Sequence, residues 1–475
     1  MTDLLVASNR GPVSFGYDEE GRLTLGRGGG GLVSGLMSVA GSTEVVWVCA
    51  ALSDADRQAA AEAPAGRLDR AGHDVGGTAV RMLDIPRATF HRAYNVIANS
   101  TLWFVHHMLY DTPSKPVFDD AFRKEWDAYV AYNQAFADAL AEEASEGARV
   151  LVQDYHLCLA PRMLRERRPD LRIAHFSHTP WAPLQYYRML PDDIGRDVLT
   201  GMLGADHVGF HAGRWAAAFG ACCAELLGAD TTPSSVRHGG RTSGLGVHAL
   251  GADADFLQER ASRQDVAARL RTLRAQLGDR RLVVRVDRTE LSKNIVRGLL
   301  AYRELLRRYP QWRGNVVHMA FAYPSRHDLP EYREYTATLQ RLAGEIEDEF
   351  ATPDWQPLLL QVDDDFPRSL AAYRLADVLV VNPIRDGMNL VAKECPALSD
   401  RGVALVLSRE AGAADELGDD AVLVNPFDVS GTADALHEAL TMPDDERAAR
   451  TKRLAAAATR LPPPRWFADQ LAALG

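Results

Sequence analysis

Short apolar runs alternate with longer segments of helical periodicity along the whole chain. Runs of strand type cover 4–8, 45–50, 149–154, 172–178 and 207–211 in the first half, and 281–287, 315–323, 357–363, 377–382, 403–408 and 421–426 in the second. Most are continuously hydrophobic, which is typical of parallel strands covered by helices on both faces. Segments such as 127–144 and 294–310 have helical periodicity. The pattern predicts an α/β protein with βαβ units repeated in two parallel-sheet domains.

The polar, glycine-rich stretch 236–253 predicts the seam between these domains. We therefore place a Rossmann-like N-terminal domain at 1–248 and a second Rossmann-like domain at 249–455. The last segment, 456–475, contains a triproline turn and one amphipathic helix, which we expect to pack back toward the N-terminal domain. A length of 475 residues fits this division, because domains usually hold roughly 100 to 200 residues.

Charge and cysteine content narrow the class of protein. A net charge of −11 argues against a protein that coats nucleic acid or an anionic membrane. An anionic ligand must therefore meet a local cluster of cations. The five cysteines show no metal-finger or C-x-x-C spacing, and no secretion signal or long apolar span is present. We expect reduced thiols and a cytoplasmic location.

Candidate chemistry gathers where strands end, because ligands of open parallel sheets bind beyond the carboxyl ends of the strands. Asp154 and His156 follow one strand, and His178 follows the next, ahead of an aromatic, proline-stiffened loop that is typical of a sugar platform. A helix cap is the alternative for Asp154, and a core histidine is the alternative for His178.

The second half supplies cations at strand ends. Arg288 and Lys293 lie five residues apart after one strand, and Arg326 follows another. Arginine binds phosphate as a fork and lysine as a point charge, although each residue alone could be a solvated surface group. Four glycines at 28–31 open a helix and favour phosphate binding, with a plain surface loop as the alternative.

Several reaction classes lack their sequence signatures. The chain contains no G-x-S-x-G elbow and no P-loop. The sequence therefore argues against a hydrolase and against a P-loop kinase. It contains no cluster of acids and histidines at metal-ligand spacing either, and the adjacent acids 363–365 could converge only in part.

A set of motifs occurs in order along nearly the whole chain. The motifs are SNRGP, RGGGGLVSGL, YNVIANSTLW, VQDYHL, HFSHTPW, DRTELSKN, AYPSR, RDGMNLVAKE, SREAGAADELG and VNPFD. Together they resemble the trehalose-6-phosphate synthases. The resemblance implies a retaining glycosyltransferase of GT-B fold, with two Rossmann-like domains facing each other across a cleft. The N-terminal domain would bind the acceptor, glucose 6-phosphate, and the C-terminal domain the nucleotide sugar.

The resemblance also implies site residues. Those for the donor are Gly31, Gly387, Met388, Asn389, Leu390, Val391 and Glu394, and those implied for the transfer itself are His178, Arg288, Lys293 and Asp386. Arg288 and Lys293 would hold the diphosphate, and Asp386 would accept from glucose hydroxyls. His178 would lie against the donor glucose, and Glu394 would bind the ribose diol. The acceptor phosphate would meet Arg10, Tyr94, Trp103 and Arg326, and Asp154 would bind the acceptor's hydroxyls.

The mechanism that the resemblance implies is front-face transfer without a metal or another cofactor, in which the enzyme positions two sugars and stabilises charge. The expected partners are the two small-molecule substrates and a separate trehalose-phosphate phosphatase downstream. We also expect a homo-oligomer that binds neither nucleic acid nor membrane.

Two departures from the family pattern affect the donor. Where many members read RLDYSKG, this chain has Glu290 and Leu291 between its Arg and Lys, so the resemblance implies phosphate binding here but not the family's finer positioning of the donor. The stretch VDDDF at 362–366 would lie beside the base. A carboxylate can accept from two guanine N–H groups but would be repelled by uracil carbonyls. We therefore hypothesise GDP-glucose over UDP-glucose, read by Asp364 or Asp365, unless these acids are solvated or cap the next helix.

The sequence is also compatible with three rival functions. The chain could be a pseudo-glycosyltransferase of the validoxylamine phosphate synthase type, or a glucosylglycerol-phosphate synthase, because acceptor choice depends on a few loop residues. It could also be a catalytically silent sugar-phosphate sensor, since fold alone does not dictate activity. The presence of Arg288, Lys293, Asp386 and Glu394 argues against the silent sensor.

Overall fold

The computed structural model describes residues 2–27, 45–73, 75, 77–326 and 328–475. The chain divides into two compact units. Unit 1 comprises Met1–Ala249 and Pro463–Gly475, and unit 2 comprises Leu250–Pro462. The C-terminal helix thus belongs to unit 1.

Unit 1 is built on one mixed sheet and a separate hairpin. Its strands are β1 (Thr2–Ala7), β2 (Val13–Tyr17), β3 (Leu23–Arg27), β4 (Val46–Ala50), β5 (Ala79–Leu83), β6 (Ala144–Gln153), β7 (Arg172–Ser177), β8 (His207–Phe210), β9 (Asp230–Thr232), β10 (Ser235–His238) and β11 (Arg241–Val247). The sheet has the order β5-β4-β1-β6-β7-β8-β11-β10-β9, and β2 pairs with β3. Pairing is parallel from β5 to β11 and antiparallel beyond it.

Helices cover this sheet. They are Asp54–Glu62, Arg87–His91, Trp103–His107, Asp120–Glu143, Ala160–Arg167, Leu184–Tyr187, Asp192–Met202, Gly213–Leu227 and Pro463–Ala472, with 3-10 turns at Pro64–Gly66, Leu68–Ala71 and Tyr155–Leu157. Arg92–Leu102 is π-helical, a form frequent at functional sites. Asp120–Glu143 buries its apolar stripe in the core, where Tyr129 and Phe136 are fully buried.

Unit 2 has a fully parallel sheet. Its strands are β12 (Arg281–Arg288), β13 (Val316–Tyr323), β14 (Leu358–Gln361), β15 (Val378–Val381), β16 (Ala404–Ser408) and β17 (Val422–Val424), in the order β14-β13-β12-β15-β16-β17. The helices are Ala254–Ala261, Gln264–Leu277, Ile295–Arg308, Pro330–Phe350, Phe366–Leu375, Val391–Leu398, Ala414–Leu417, Val429–Thr441 and Asp444–Ala458, with 3-10 turns at Leu291–Lys293, Pro310–Trp312 and Gly418–Asp420. The central strands are buried along almost their whole length.

The predicted α/β class with parallel sheets is confirmed, and the boundary between the two units, at Ala249 and Leu250, lies within the stretch 236–253 that the sequence predicts as the seam. That stretch contains most of β10 and all of β11. Glycines in β11 hid the strand pattern and have a packing role: a Cβ on Gly246 would lie 2.3 Å from the His207 ring nitrogen. A residue with a Cβ at this point would have to displace the rings of His207 and His248.

Two further properties concern the described residues alone. None of their helices has the length and apolar character that crossing a bilayer requires. All five cysteines are buried and unpaired, as the sequence predicts for structural thiols.

Candidate functional site

The carboxyl ends of β12 and β15 in unit 2 carry an ion pair. Lys293 ends the 3-10 turn after β12, and its Nζ lies 2.5 Å from Oδ2 of Asp386, in the loop after β15. Both side chains are mostly buried. Burial lowers the pKa of Lys293, but the charges of Asp386 and two further carboxylates outweigh it and raise the pKa above its ordinary value. Lys293 therefore holds a fixed positive charge.

Glu290 is a buried carboxylate among three cations. It is 3% exposed and accepts a 2.9 Å hydrogen bond from Ser325 Oγ. Burial raises its pKa, but the charges of Arg326, Arg288 and Lys293 dominate and lower the pKa to about 2. The predicted phosphate cations thus share one counter-ion at the ends of β12 and β13. Arg288 itself remains 61% exposed, and Arg326 donates to the Tyr332 hydroxyl over 2.7 Å.

A buried arginine within β12 supports this loop, and the sequence reasoning missed it. Arg285 is fully buried and pairs with Asp287 at 2.8 Å. It also donates to the Lys293 carbonyl at 3.1 Å and to Oδ1 of Asn382 at 3.2 Å. An arginine inside an otherwise apolar strand run is the signal that could have revealed it, since buried charges need partners.

The loop between β15 and the helix Val391–Leu398 presents backbone amides. Within the described part of the chain, the N–H groups of Met388, Asn389 and Leu390 donate no hydrogen bond. Asn389 adopts a positive φ of 79°, and its side chain donates to Asp386 at 3.1 Å and accepts from Ala392 N at 3.2 Å. Asn389 therefore caps the helix that follows, and the helix starts at Val391, after the predicted amide-donating residues.

A close approach of two loops fixes this geometry. A Cβ on Gly412 would lie 1.9 Å from the Gly387 carbonyl oxygen, so only glycine fits. Gly412 N donates to the Asp386 carbonyl at 3.0 Å, and Ala413 N donates to the Met388 carbonyl at 2.8 Å. The loop after β16 thus holds the loop after β15 in place.

Glu394 lies in the first turn of the helix Val391–Leu398 and is half-buried. Its carboxylate accepts no hydrogen bond from the described residues. Burial raises its pKa to about 7. A carboxyl group without a hydrogen-bond donor among the described residues, at the start of a helix and beside amides in the same situation, is suited to bind ligand hydroxyls.

The two acids predicted to read the base have different surroundings. Asp365 caps the helix Phe366–Leu375 by accepting from Arg368 N at 3.0 Å, and its other oxygen pairs with Arg269 at 2.9 Å. Asp364 is exposed. The alternative that these acids cap the next helix thus applies to Asp365. Of the two acids, only Asp364 has a carboxylate that no described residue occupies and that a ligand could reach.

In unit 1, Asp154 follows β6 in a strained backbone conformation. Its φ of 72° and ψ of 172° lie in a region that is otherwise almost confined to glycine. Its N–H donates to the Phe176 carbonyl at 2.7 Å, and its Oδ1 accepts from His178 N at 3.1 Å. The surrounding sheet therefore holds the side chain at the strand end. Asp154 occupies the N-cap position of the 3-10 turn Tyr155–Leu157, as the cap alternative predicts, but its side chain makes no capping hydrogen bond to this turn.

His178 directly follows the next strand, β7, and its ring contacts other side chains of unit 1. Its Nε2 lies 2.9 Å from Gln153 Oε1, and its Nδ1 lies 3.2 Å from His211 Nε2. Burial, followed by the neighbouring rings of His211 and His175, keeps the pKa of His178 well below its ordinary value. The ring is therefore neutral at physiological pH.

Unit 1 contains three further residues that the sequence predicts for the acceptor. Arg10 is exposed just after β1. Tyr94, in the π-helical segment, stacks on the His156 ring at 5.5 Å between centroids. Trp103 follows that segment and stacks on His107 at 3.9 Å. Both aromatic rings thus belong to a stacked aromatic layer of unit 1.

Some predicted residues remain outside the structural description. Gly31 and the glycine run 28–31 lie outside the described residues. Within the described ranges, no group of three or more His, Cys, Asp and Glu side chains is placed to hold a metal ion.

Of the predicted site residues, unit 2 brings together Arg288, Lys293, Arg326 and Asp386, and unit 1 brings together Asp154 and His178.

Comparisons with known proteins agree on one family. The family model described as glycosyltransferase family 20 matches residues 2–474. An Aspergillus niger protein named alpha,alpha-trehalose-phosphate synthase [UDP-forming] 2 is 36% identical over 462 residues, which cover 95% of this chain and 92% of the relative.

Solved structures resemble the chain over almost its whole length. A structure from E. coli bound with UDP-2-fluoro glucose has a TM-score of 0.86 and 27% identity, covering 99% of this chain and 98% of the other. A Burkholderia xenovorans alpha,alpha-trehalose-phosphate synthase (UDP-forming) in complex with glucose-6-phosphate has a TM-score of 0.86 and 28% identity, with both chains covered to 100%.

Proposed function

Because the chain belongs to glycosyltransferase family 20, we propose that it transfers glucose from a nucleotide glucose to glucose 6-phosphate and forms α,α-trehalose 6-phosphate. The resemblance to trehalose-6-phosphate synthases, and with it the GT-B fold, is confirmed. The observation that carries the proposed reaction is the set of Arg288, Lys293 and Arg326 around buried Glu290.

Unit 2 has the chemistry for the donor. Lys293 and Arg288 would neutralise the diphosphate as the glycosidic C–O bond breaks, because a preorganised cation stabilises developing charge without reorganising. The N–H groups of Met388, Asn389 and Leu390 would donate to sugar and phosphate oxygens, and Asp386 would accept from glucose hydroxyls. Glu394 would bind the ribose diol.

Unit 1 has the chemistry for the acceptor. Asp154 would accept from the hydroxyls of glucose 6-phosphate, and Arg10, Tyr94 and Trp103 would surround its phosphate. The strained backbone of Asp154 supports this role, since strain of this kind clusters at functional sites.

We propose retention of configuration by front-face transfer. The acceptor hydroxyl attacks the anomeric carbon from the side that the diphosphate leaves, and its proton passes to a departing phosphate oxygen. This route needs no protein nucleophile. The neutral state of His178 suits it, because a neutral ring can lie against the sugar without exchanging a proton.

UDP-glucose is the first candidate donor, because relatives are named UDP-forming and one solved neighbour binds UDP-2-fluoro glucose. GDP-glucose is the second candidate, and exposed Asp364 favours it because a carboxylate can accept from two guanine N–H groups. Because Asp365 is already engaged by its helix cap and by Arg269, the GDP hypothesis depends on Asp364.

The test is to incubate the protein with glucose 6-phosphate and each nucleotide glucose and to identify the disaccharide phosphate and its anomeric configuration. We expect α,α-trehalose 6-phosphate. Asp386→Ala should abolish product while near-UV circular dichroism stays unchanged, and near-wild-type transfer would refute the donor role of this loop. Product only with glycerol phosphate or an aminocyclitol phosphate as acceptor would favour the rival transferases, and no product with any acceptor would favour the sensor.

The donor question has a matched pair of variants. Asp364→Asn should change the ratio of kcat/KM between GDP-glucose and UDP-glucose by roughly 10-fold if Asp364 reads guanine, whereas Asp363→Asn, also exposed, should not. A strong UDP-glucose preference in the wild type, unchanged in both variants, would refute the GDP hypothesis.

A further inference from the structure

A row of hydrogen-bonding groups crosses the carboxyl ends of three strands in unit 1. Gln153 ends β6, His178 follows β7 and His211 follows β8. The Gln153 amide lies 2.9 Å from His178 Nε2, His178 Nδ1 lies 3.2 Å from His211 Nε2, and His211 Nδ1 lies 3.3 Å from the His248 carbonyl oxygen. The row therefore runs from a buried amide to a backbone carbonyl.

The far end of the row is anchored. The His248 carbonyl oxygen also accepts from Nε1 of Trp466, on the C-terminal helix, at 3.0 Å. A carbonyl oxygen has two lone pairs and cannot donate, so any hydrogen bond between it and His211 requires a proton on His211 Nδ1. This requirement fixes the direction of the row.

With a proton on Nδ1, a neutral His211 has an unprotonated Nε2, which must accept from His178. A doubly protonated His211 would carry a charge in a site where its side chain is 4% exposed, which is costly. The neutral arrangement therefore places a proton on His178 Nδ1 and leaves His178 Nε2 as an acceptor.

The Gln153 amide completes this arrangement. Gln153 is fully buried, and with its oxygen toward His178 its Nε2 has no hydrogen-bond partner among the described residues. Turning the amide over by 180° directs an N–H at His178 Nε2. Every contact along the row then joins one donor to one acceptor, with all rings neutral.

We propose that His211 is a positioning residue that fixes His178 as the Nδ1–H tautomer, with Nε2 accepting from Gln153. Both ring nitrogens of His178 are then held by protein groups, so the ring keeps one orientation at the end of β7. Sequence reasoning singled out His178 alone, because His211, 33 residues away, reaches it only through the pairing of β7 with β8.

The consequence for transfer rests on the proposed function. If His178 lies against the donor glucose, its ring orientation sets the space for the sugar, and small displacements at such positions have large effects on the chemical step. Replacing His211 should therefore change kcat more than it changes KM for the nucleotide glucose or for glucose 6-phosphate, because His211 would contact neither substrate.

The direct test is a two-bond ¹H–¹⁵N correlation spectrum of the protein with ¹⁵N-labelled histidine, in which the His178 signals are assigned by their loss in His178→Gln. The expected result is a protonated Nδ1 and an unprotonated Nε2. A protonated Nε2 in the wild type would overturn the proposal. This readout needs no turnover, so it stands even if no disaccharide phosphate forms.

The kinetic test uses three variants. A glutamine at position 211 can accept from His178 and donate to the His248 carbonyl, so His211→Gln should keep kcat within about threefold. His211→Leu should lower kcat on the order of 10- to 100-fold with little change in KM. The control is His207→Leu, at the start of β8, because His207 Nε2 lies 3.1 Å from the His248 ring and His207 does not contact His178.

The outcomes separate a positioning role from a structural one. A loss in His211→Leu that His211→Gln restores, with His207→Leu near wild type, supports the proposal. Equal losses in both His211 variants, or full activity in His211→Leu, would overturn it. Inactive wild-type protein with the expected tautomer would count against the proposed function and leave the tautomer assignment supported.

Discussion

The strand ends of the two units carry different chemistry. In unit 2 the side chains are charged and paired: Lys293 with Asp386, and Glu290 with three cations. In unit 1 the Gln153 amide and the rings of His178 and His211 lie within hydrogen-bonding distance of one another, and the neighbouring Asp154 carboxylate accepts from the backbone N–H of His178. One unit therefore offers fixed charge, and the other offers fixed shape.

This difference shows how the charged side chains of a binding site are stabilised before the ligand binds. A buried cation without a partner would be strongly destabilising, so the cations of unit 2 are compensated by carboxylates. In the proposed reaction a diphosphate competes with Asp386 and Glu290 for these cations. The groups of unit 1 that would bind the sugar hydroxyls need no such exchange, because hydroxyl groups can be bound by hydrogen bonds alone.

The largest expected effect comes from removing the fixed charge of unit 2. Lys293→Met should lower kcat/KM by roughly 10²- to 10³-fold, as for other preorganised groups that stabilise developing charge. Initial rates of product formation measure it. The control is Lys452→Met, at an exposed position of the same unit. Equal rates for the two variants would remove Lys293 from the donor site and end the contrast between the units.

The second effect concerns Glu290 and acid stability. Its pKa lies at about 2, below the ordinary 4.5, so its charge stabilises the fold above pH 4.5, and this stabilisation is lost as the pH falls through 2. Glu290→Gln should lower the free energy of unfolding by roughly 3 kcal/mol at neutral pH, and the gap should close toward pH 2. Urea unfolding at several pH values measures the difference.

A matched variant checks that this result is specific to burial among cations. Glu345 pairs with Arg303 at the surface, where its side chain is 40% exposed. Glu345→Gln should change the free energy of unfolding by less than about 1 kcal/mol at any pH. If Glu290→Gln behaves like Glu345→Gln, the shared counter-ion does not stabilise the cation set.

The third effect tests unit 1. Asp154→Asn keeps an amide oxygen that can accept from His178 N, and asparagine tolerates a positive φ better than most residues. We expect intact folding and a loss of roughly 10- to 100-fold in kcat/KM for glucose 6-phosphate, since hydrogen bonds to charged groups contribute ~1.5–3 kcal/mol. Asp138→Asn, on the surface of unit 1, is the control. A loss as large as that of Lys293→Met would show that unit 1 also depends on charge.

The sequence was most informative where burial produced a simple pattern. The strands of unit 2 were all predictable, because parallel strands buried on both faces are continuously apolar. The strand β11 was not, because its glycines are dictated by the His207 ring on the neighbouring strand. The hairpin of β2 and β3 was missed as well, since its residues are partly exposed and lack a continuous apolar run.

The sequence predicts where the site residues lie better than it predicts which other residues they contact. Strand ends indicated Asp154, His178, Arg288 and Lys293, because topology places ligands there. The counter-ion role of Glu290, the support from Arg285 and the contact of His211 with His178 depend on pairing between strands that are distant in sequence. No local pattern contains that information.

The smallest expected effect concerns the carboxyl group of Glu394 in unit 2. Its pKa is raised, whereas the charged groups around it are paired and keep their charge. Burial raises the pKa of Glu394 to about 7 from 4.5, so its protonated form favours the fold, and that contribution is lost as the pH rises from 4.5 through 7. If Glu394 binds the ribose diol as a carboxylate, KM for the nucleotide glucose should fall by about three- to tenfold between about pH 6 and pH 8. Glu394→Gln should flatten this dependence, because an amide does not titrate. KM for glucose 6-phosphate in the same experiment is the control, and an equal pH response for both substrates would place the titrating group elsewhere.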